Sequence, residues 1–314
     1  MSLRPRVATV VVHHSQPADT LRAVGSAQDA DYPSQVVLVV DNGPDAGVGS
    51  PLADSLDPTV TYLPAPSNLG FAGGVGLAAS VAAQRFGVDY LWLLNPDAVA
   101  EPAALGWLVT TADAVPDAAI VGSRLLDGPG PDAPIAYDGA VVDPVTGATR
   151  HLGRGVPASQ RPARGHLDTD YANGASMLVR VGAMAVLGPL PTEYFLYFEE
   201  TDYALQARRR GFRVLLEPRS RVHHLRRSVT DIPTATFVYY MIRNRDLFAR
   251  RWGFVPDPAA PQPTDVFVAS ARERIAVARP DELLAFDALV AQARADGAAG
   301  RSGRSDVPTS VGWQ

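Results

Sequence analysis

The first half of the chain alternates short apolar runs with stretches of helical periodicity, and this alternation constrains the fold most strongly. The runs at 7–12, 36–40, 59–63, 90–94 and 119–123 are predicted strands, and the stretches 20–30, 71–86 and 102–115 are predicted helices. A run that is apolar at every position fits a strand buried on both faces, as in a parallel sheet. The sequence therefore predicts an α/β fold with a single, mostly parallel sheet flanked by helices.

The second half of the chain changes character before the pattern returns. Residues 124–170 are rich in Pro, Gly and Asp, and we expect an excursion or mobile loop there, with hairpin strands at 136–142 and 148–152. Further on, the sequence predicts strands at 171–179 and 212–216, and helices at 202–210, 234–252, 265–278 and 280–295. From Gly297 onward the chain has little to bury, so we expect a disordered tail.

Composition excludes several classes of chemistry. The chain has no Cys, which excludes disulfides, thiolate catalysis and Cys-ligated zinc. Every basic residue is Arg, and the lack of Lys excludes Schiff-base chemistry and a Walker-type phosphate lysine. No apolar run reaches the roughly 18 residues that span a bilayer, and the N-terminus enters a strand instead of a signal-peptide pattern. We therefore expect a cytosolic protein.

The net charge of −5 hides a concentration of Arg between residues 205 and 251. A local positive field of this kind favours phosphates or anionic lipid headgroups, which would allow peripheral contact with the inner face of the plasma membrane. The alternative interpretation is a solvated helix face together with the codon bias of a GC-rich genome. We expect no nucleic-acid partner.

An acidic residue follows the most apolar predicted strand. Asp97 comes after the run 90–94 in the turn Asn95-Pro96-Asp97, so it is expected at the carboxyl end of a parallel strand. Open α/β sheets bind ligands at that edge, and Mg²⁺ or Mn²⁺ there often takes only one or two ligands from the protein. The alternative is a turn that leads into the helix at Pro102.

A second acidic cluster and a histidine pair come about a hundred residues later. Glu199, Glu200 and Asp202 lie at the start of a predicted helix, and His223 and His224 follow the strand at 212–216. Acids at a helix start can be ordinary capping residues. Crowded carboxylates also raise one another's pKa, which suits a general base, and a His can ligate a metal.

Two loops next to predicted strands are candidates for nucleotide binding. Asp41-Asn42-Gly43 can accept the imide N–H of a pyrimidine base, or can be a simple Asn-Gly turn. The segment 68–76 is rich in Gly and precedes a helix, so its backbone can approach a ligand and its helix start can favour phosphate. Close packing of this helix on the sheet is the alternative explanation for the glycines.

Taken in order, these stretches resemble the family 2 glycosyltransferases. Six stretches carry the resemblance over residues 6 to about 250, namely 39–43, 68–74, 93–97, 173–178, 198–203 and 222–224. The resemblance implies the GT-A fold, a single Rossmann-like, mostly parallel sheet flanked by helices, with a C-terminal helical extension. It is closest to the rhamnosyltransferase and galactofuranosyltransferase branch of bacterial cell-wall and polysaccharide synthesis.

The resemblance also implies roles for individual residues. Asp97 and His224 would hold the divalent cation, Mg²⁺ or Mn²⁺. Glu200 would be the catalytic base, with Glu199 and Asp202 as alternatives. The nucleotide-sugar pocket would be lined by His13, Asp41, Asn68, Gly70, Gly73, Gly74, Asn95, Gly174 and Ala175.

The expected organisation and activity follow from the same resemblance. Residues 1–232 would form the catalytic domain, with a nucleotide-sugar half at 1–123 and an acceptor half at 124–232. Residues 233–296 would form the helical region and 297–314 the tail. The enzyme would transfer a sugar such as rhamnose or galactofuranose from a UDP- or dTDP-sugar, with inversion, to a glycan or polyprenyl-linked acceptor.

The sequence departs from the family pattern at three places, which keeps alternatives open. Asn95 replaces the first acid of the DXD motif, Glu200 stands where an Asp is usual, and His13-His14-Ser15 ends the first strand. A catalytically inactive nucleotide- or glycan-binding protein is one alternative. A sugar-nucleotide pyrophosphorylase is the other, although the Gly-rich loop expected after its first strand is missing.

Overall fold

A computed structural model describes residues 4–47, 50–225, 232–255 and 263–307. The chain divides into two compact units. The first comprises Met1–Val141, Arg150–Leu190 and Glu200–Arg226, and the second comprises Val142–Thr149, Pro191–Glu199 and Arg227–Gln314. Two short inner segments thus group with the C-terminal helices.

Alternating strands and helices build the first unit, as the apolar runs predict. The strands are β1 Val7–His13, β2 Gln35–Asp41, β3 Thr61–Pro64, β4 Tyr90–Leu94, β5 Ala98–Ala100, β6 Ala118–Asp127, β7 Ile135–Tyr137, β8 Ala140–Val142, β9 Thr149–His151, β10 Leu167–Asp168, β11 Ser176–Arg180 and β12 Arg213–His224. The helices are α1 Pro17–Gln28, α2 Pro51–Ser55, α3 Gly70–Phe86, α4 Ala104–Ala114, α5 Val181–Leu187 and α6 Glu199–Arg209.

One large sheet forms the core of this unit, in the order β10-β12-β6-β11-β4-β1-β2-β3. β1 pairs in parallel with β2 and β4, β2 pairs in parallel with β3, and β6 with β12. β11 is antiparallel to both of its neighbours, β4 and β6. β5 and β7 pair with β12 and β6 off this path, and β8 and β9 form a separate two-stranded sheet. The prediction of a flanked, largely parallel sheet is confirmed.

Strand β12 differs most from the sequence-based prediction. The predicted strand ended at residue 216, whereas β12 continues to His224. Its register against β6 shifts between Glu217 and Arg221, so residues 218–220 are extra. The buried Glu217 carboxylate accepts hydrogen bonds from the backbone N–H of Arg219 at 2.9 Å and from the Thr111 hydroxyl at 2.6 Å. This bulge re-aims the strand, which is a common feature next to functional sites.

The remaining differences are smaller. Strand β11 begins at Ser176 and not at residue 171, and the excursion at 124–170 contains the end of β6 and all of β7 to β10. Most arginines in the described part of the Arg-rich stretch bond to acids or carbonyl oxygens of the unit to which they belong. Ion pairs in this described part join Arg208 with Asp170, Arg213 with Asp168, Arg219 with Glu217, Arg221 with Glu101 and Arg251 with Glu193.

Helix α3 packs closely on β1 through Gly74. A Cβ atom at Gly74 would lie 2.8 Å from Cγ1 of Val12 and 3.2 Å from Nδ2 of Asn42, whereas a Cβ at Gly76 would meet nothing within 4 Å. Close packing therefore explains Gly74. We expect Gly74→Ala to lower the free energy of unfolding by about 1–3 kcal/mol through overpacking.

The matched control for this prediction is Gly76→Ala in the same helix. It adds a methyl group in open space and should raise stability by about 0.5–1 kcal/mol, because Ala loses less backbone entropy than Gly. Urea unfolding of both variants measures the difference. Equal effects of the two substitutions would contradict the close approach of α3 to β1.

The second unit has a helical core of its own. Its helices are α7 Ala235–Trp252, α8 Pro263–Ala278 and α9 Leu283–Ala298, and the Thr234 hydroxyl caps α7 by accepting from the N–H of Phe237 at 3.2 Å. Buried residues such as Val238, Phe286 and Leu289 share one apolar cluster. Residues 299–307 belong to the expected tail, yet Ser305 donates its N–H to the Tyr240 hydroxyl at 2.9 Å; residues 308–314 lie outside the described part.

Within the described ranges, no helix is both long enough and apolar enough to cross a bilayer.

Candidate active site

The carboxyl ends of β1, β2 and β4 bring polar residues to one edge of the sheet. His13 at the end of β1 lies opposite Asp41 at the end of β2, and β1 also pairs in parallel with β4, which Asn95 follows. This edge is where open α/β sheets bind ligands. The sequence placed these three residues at the edge, and the structure does the same.

Asp97 and His224 meet at this edge although 127 residues separate them. Oδ1 of Asp97 lies 3.0 Å from Nε2 of His224. The antiparallel pairing of β5 with β12 places His224 opposite Ala98, directly after Asp97, and the N–H of Leu225 donates to the carbonyl of Asp97 at 2.8 Å. His224 is buried, whereas the Asp97 side chain is 37% exposed. The pair therefore presents one buried nitrogen and one accessible carboxylate.

The neighbouring His223 belongs to a different arrangement. Successive side chains of a strand point to opposite faces. Nε2 of His223 lies 3.2 Å from Oε1 of Glu101, which also pairs with Nε of Arg221 at 3.0 Å, and Nδ1 of His223 lies 2.9 Å from the carbonyl oxygen of Gly128. Of the two histidines, only His224 contacts Asp97.

The geometry of the Asp97–His224 pair fits two ligands of one divalent cation. In an octahedral site with bonds of about 2.1 Å, adjacent ligand atoms lie about 3.0 Å apart. The observed separation of 3.0 Å matches this edge length. No group of three or more Asp, Glu or His ligands occurs among the described residues. Mg²⁺ and Mn²⁺ accept so few protein ligands when substrate phosphates supply the others.

The Asp41 carboxylate is buried and already holds the loop that follows β2. Oδ1 accepts from the N–H of Gly43 at 2.9 Å, and Oδ2 accepts from the hydroxyls of Tyr62 at 2.7 Å and Ser50 at 3.2 Å. A carboxylate offers about four acceptor positions. Asp41 therefore has room for one more donor, such as the N–H of a base, while it orders its loop.

His13 and the buried Asn42 lie at the carboxyl ends of β1 and β2 and contact neighbouring elements. Burial lowers the pKa of His13, with an opposing effect of Asp41, and Nδ1 of His13 lies 2.7 Å from the Thr20 hydroxyl. Nδ2 of Asn42 donates to the carbonyl of Gly70 at 2.9 Å, which ties the second strand to the start of α3. His13 is thus held by the protein, in a neutral state over a wider pH range than an exposed His.

Helix α3 begins in a turn made by Asn68 and Gly70. Oδ1 of Asn68 accepts from the N–H of Gly70 at 3.0 Å, and Gly70 has a φ of 72°, which favours glycine. Gly73 lies against Leu69 of the same turn, since a Cβ there would be 2.8 Å from Cβ of Leu69. The side chain of Asn68 is half-buried. At the start of α3, Gly70 therefore provides a left-handed backbone conformation, and Gly73 avoids a steric clash with Leu69.

The turn that precedes β11 lies beside Asn95 at the same edge of the sheet. The N–H of Asn95 donates to the carbonyl of Ala175 at 3.0 Å, and the N–H of Ala175 donates to Oδ1 of Asn173 at 2.9 Å. This arrangement places the half-buried Gly174 next to Glu200: a Cβ at Gly174 would be 3.7 Å from Cγ of Glu200. A Cβ atom at Gly174 would thus make ordinary van der Waals contact with the Glu200 side chain.

The three acids at the start of α6 differ in accessibility. Asp202 is fully buried and accepts from Nε2 of Gln206 at 3.3 Å, and Glu199 is 4% exposed, while Glu200 is half-buried. Burial raises the pKa of Tyr137, and the nearby Glu200 carboxylate adds to that rise. Only Glu200 of the three has a side chain with appreciable exposure.

Two contributors were absent from the sequence-based set of site residues. Asn42 and Asn173 both hold turns at the edge through their side-chain amides. Each lies inside a stretch that carried the family resemblance, so the signal was present. Asn42 was interpreted as part of an Asn-Gly turn, and its partner Gly70 lies 28 residues further along the chain.

Comparison with known proteins decides the family. The family model described as "Glycosyltransferase like family 2" matches residues 5–245. This chain belongs to that family. It is therefore a member of a glycosyltransferase family, and Asp97, His224 and Glu200 all lie within the matched region.

One relative of this family 2 glycosyltransferase is the N-acetylglucosaminyl-diphospho-decaprenol L-rhamnosyltransferase of Mycobacterium tuberculosis, found in two strains. The two chains are 26% identical over 208 residues, which is 60% of this chain and 66% of the relative. The match therefore spans just under two thirds of the relative's length.

Two solved glycosyltransferases share the fold. GalNAc-T7 in complex with UDP, GalNAc and Mn²⁺ aligns with a TM-score of 0.61 at 13% identity, covering 90% of this chain and 58% of that one. The mannosyltransferase PcManGT of Pyrobaculum calidifontis, in complex with GDP-Man and Mn²⁺, aligns with a TM-score of 0.54 at 17% identity, covering 98% and 79%. The fold of this glycosyltransferase is accordingly GT-A.

Proposed function

We propose that this glycosyltransferase moves a sugar from a UDP- or dTDP-sugar to a hydroxyl of a polyprenyl-diphosphate-linked glycan, with inversion. The observation that carries the proposal is the Asp97–His224 pair at the carboxyl edge of the sheet, whose spacing fits a divalent cation, Mg²⁺ or Mn²⁺. The name of the mycobacterial relative supports the lipid-linked acceptor and a rhamnosyl donor. Both structural neighbours hold Mn²⁺.

The residues at the edge would each contact a different part of the nucleotide-sugar donor. Asp41 would accept the imide N–H of the base through its remaining acceptor position, and Asn68 and Asn95 would face the nucleotide sugar. Asp97 and His224 would hold the cation against the diphosphate. When bound, this cation supplies positive charge that stabilises the leaving diphosphate.

Glu200 would act on the acceptor as the general base. Its carboxylate takes the proton from the acceptor hydroxyl, and the oxygen attacks the anomeric carbon of the donor. The bond from that carbon to the diphosphate oxygen breaks on the opposite face, so the configuration inverts. The products are a glycoside and a nucleoside diphosphate, and Glu200 returns its proton to water.

A thermal-shift panel tests the donor half of this proposal. UDP, dTDP, GDP and CMP are each added with Mn²⁺ or with EDTA. A ligand that binds only the folded state, at 100 times its Kd, should stabilise it by about 2.7 kcal/mol. We expect stabilisation by UDP or dTDP with Mn²⁺ and a much smaller effect with EDTA.

Product analysis separates the enzyme from an inactive binding protein. An enzyme given a UDP- or dTDP-sugar and a polyprenyl-linked acceptor releases free nucleoside diphosphate in step with glycoside. A binding protein is stabilised by the nucleotide and releases none. No stabilisation by any nucleotide would overturn the proposal as a whole.

A further inference from the structure

The segment just before the proposed base is strained. Phe195, Tyr197 and Phe198 have φ values of 67°, 66° and 77°, which are outliers for side chains of this size. The loop then runs directly into α6 at Glu199, and Glu200 is the next residue. Residues in such conformations persist only where surrounding contacts hold them, and they cluster at functional sites.

One buried amide contacts three backbone carbonyls of this loop. Nδ2 of Asn244 on α7 lies 3.0 Å from the carbonyl oxygen of Tyr194, 2.6 Å from that of Leu196 and 3.0 Å from that of Tyr197. Asn244 has no exposed surface. Three carbonyls of one short segment converge on one nitrogen only if the backbone turns between them. The left-handed residues supply those turns.

The neighbouring Arg243 fixes which way the amide points. Its Nε and Nη2 donate to Oδ1 of Asn244 at 2.9 and 2.7 Å, and Nη2 also donates to the carbonyl of Tyr194 at 2.8 Å. Nη1 donates to the carbonyl of Gly303 at 2.7 Å. Because a guanidinium only donates, Oδ1 must face Arg243 and the NH₂ group must face the loop. The hydrogen bonds from Arg243 therefore set the orientation of the Asn244 side-chain amide.

We propose that Asn244 is a positioning residue for the general base. The inference rests on the proposed function, in which Glu200 takes the proton of the acceptor. By holding the loop carbonyls, Asn244 fixes the backbone that leads into the first turn of α6. It thereby fixes the backbone position from which the Glu200 side chain extends. Without the amide, the carbonyls of Leu196 and Tyr197 lose this hydrogen bond and that of Tyr194 keeps the one from Arg243, so the left-handed residues relax and the base is displaced.

The identity of the strained residues argues against a purely structural loop. A turn selected for stability alone would carry Gly at left-handed positions, since Gly adopts positive φ without steric cost. This loop carries three aromatic residues there instead. Their strain is tolerated because Asn244 and Arg243 over-determine the conformation, as expected where geometry matters more than stability.

The test is a double-mutant cycle of turnover with Asn244→Ala and Glu200→Gln. In the wild-type background we expect Asn244→Ala to lower kcat by about 10²-fold, the cost of misplacing a catalytic group by about an ångström. In the Glu200→Gln background the same change should lower kcat less than about threefold, because the base it positions is already gone. The Kd of the nucleoside diphosphate with Mn²⁺ should stay within about twofold in each variant.

Tyr239→Phe is the matched control on the same helix. It removes a buried hydrogen bond, from the Tyr239 hydroxyl to Oδ2 of Asp296 at 2.6 Å, without touching the three loop carbonyls. We expect it to lower the melting temperature and to leave kcat per folded molecule unchanged. If Asn244→Ala does not fold, Asn244→Ser retains one donor and should give a smaller loss with the same dependence on Glu200.

The outcomes distinguish a failure of the base role of Glu200 from a failure of the positioning role of Asn244. If Glu200→Gln has wild-type turnover, the base assignment fails and this inference fails with it. If Glu200→Gln is slow and Asn244→Ala slows it again by the same factor as in the wild type, the proposed function stands and the positioning role is overturned. A loss of kcat in Tyr239→Phe equal to that in Asn244→Ala would also overturn it.

Discussion

Asp97→Asn should lose metal-dependent nucleotide binding and fall in turnover by about 10³-fold, as expected when charge stabilisation of the leaving group is removed. The substitution keeps the shape of the side chain and removes the negative charge that attracts the cation. Thermal shift with UDP and Mn²⁺ measures the first effect, and release of nucleoside diphosphate measures the second. Normal turnover in this variant would contradict the assignment of the metal site.

Glu101→Gln is the matched control for the proposed metal site. Glu101 lies four residues further along and pairs with His223, the histidine next to His224. The control thus removes an acid of equal charge with a histidine partner, but on the other face of β12. Because Glu101 does not contact Asp97 or His224, we expect Mn²⁺-dependent nucleotide binding and turnover to remain within about twofold, as for independent sites.

Glu200→Gln should lower kcat by about 10²- to 10⁴-fold, the usual contribution of a general base. The side chain keeps its length, so the position of α6 should not change. Donor binding depends on the edge formed by β1, β2 and β4, and we expect the nucleotide Kd to be retained. Separate measurements of kcat and of the nucleotide Kd by titration test both statements.

Asp202→Asn distinguishes the proposed base, Glu200, from its acidic neighbour. Asp202 is buried, and the Asn variant keeps an oxygen that can accept from Gln206. We expect a lower melting temperature with most of the turnover per folded molecule retained. A loss as large as that of Glu200→Gln, with nucleotide binding intact, would move the catalytic role to Asp202.

Features encoded by neighbouring residues could be predicted from the sequence. The buried run of β4 predicted its own bounds, and the turn after it placed Asp97 at the edge of the sheet. The helix start placed Glu200. In each case an apolar run or a cap lies within a few residues, so the local pattern carries the information.

Features that depend on distant partners could not be predicted in the same way. The contact of Asp97 with His224 requires β5 to pair with β12, and also requires the three extra residues of the bulge at 218–220. The hydroxyls that donate to the Asp41 carboxylate belong to Ser50 and Tyr62, and no local sequence pattern predicts these contacts. Gly70 and Gly74 look alike in sequence, but one adopts a left-handed turn and the other avoids Val12.

The end of β12 carries histidine on both of its faces, and this duplication protects the site against changes in chain length. A shift of one residue in a strand exchanges the faces of all its side chains. If the bulge at 218–220 grew by one residue, His223 would move to the place of His224, and an imidazole would still stand opposite Asp97. Insertions are tolerated most readily at such irregular points, so the repeated histidine is a form of redundancy.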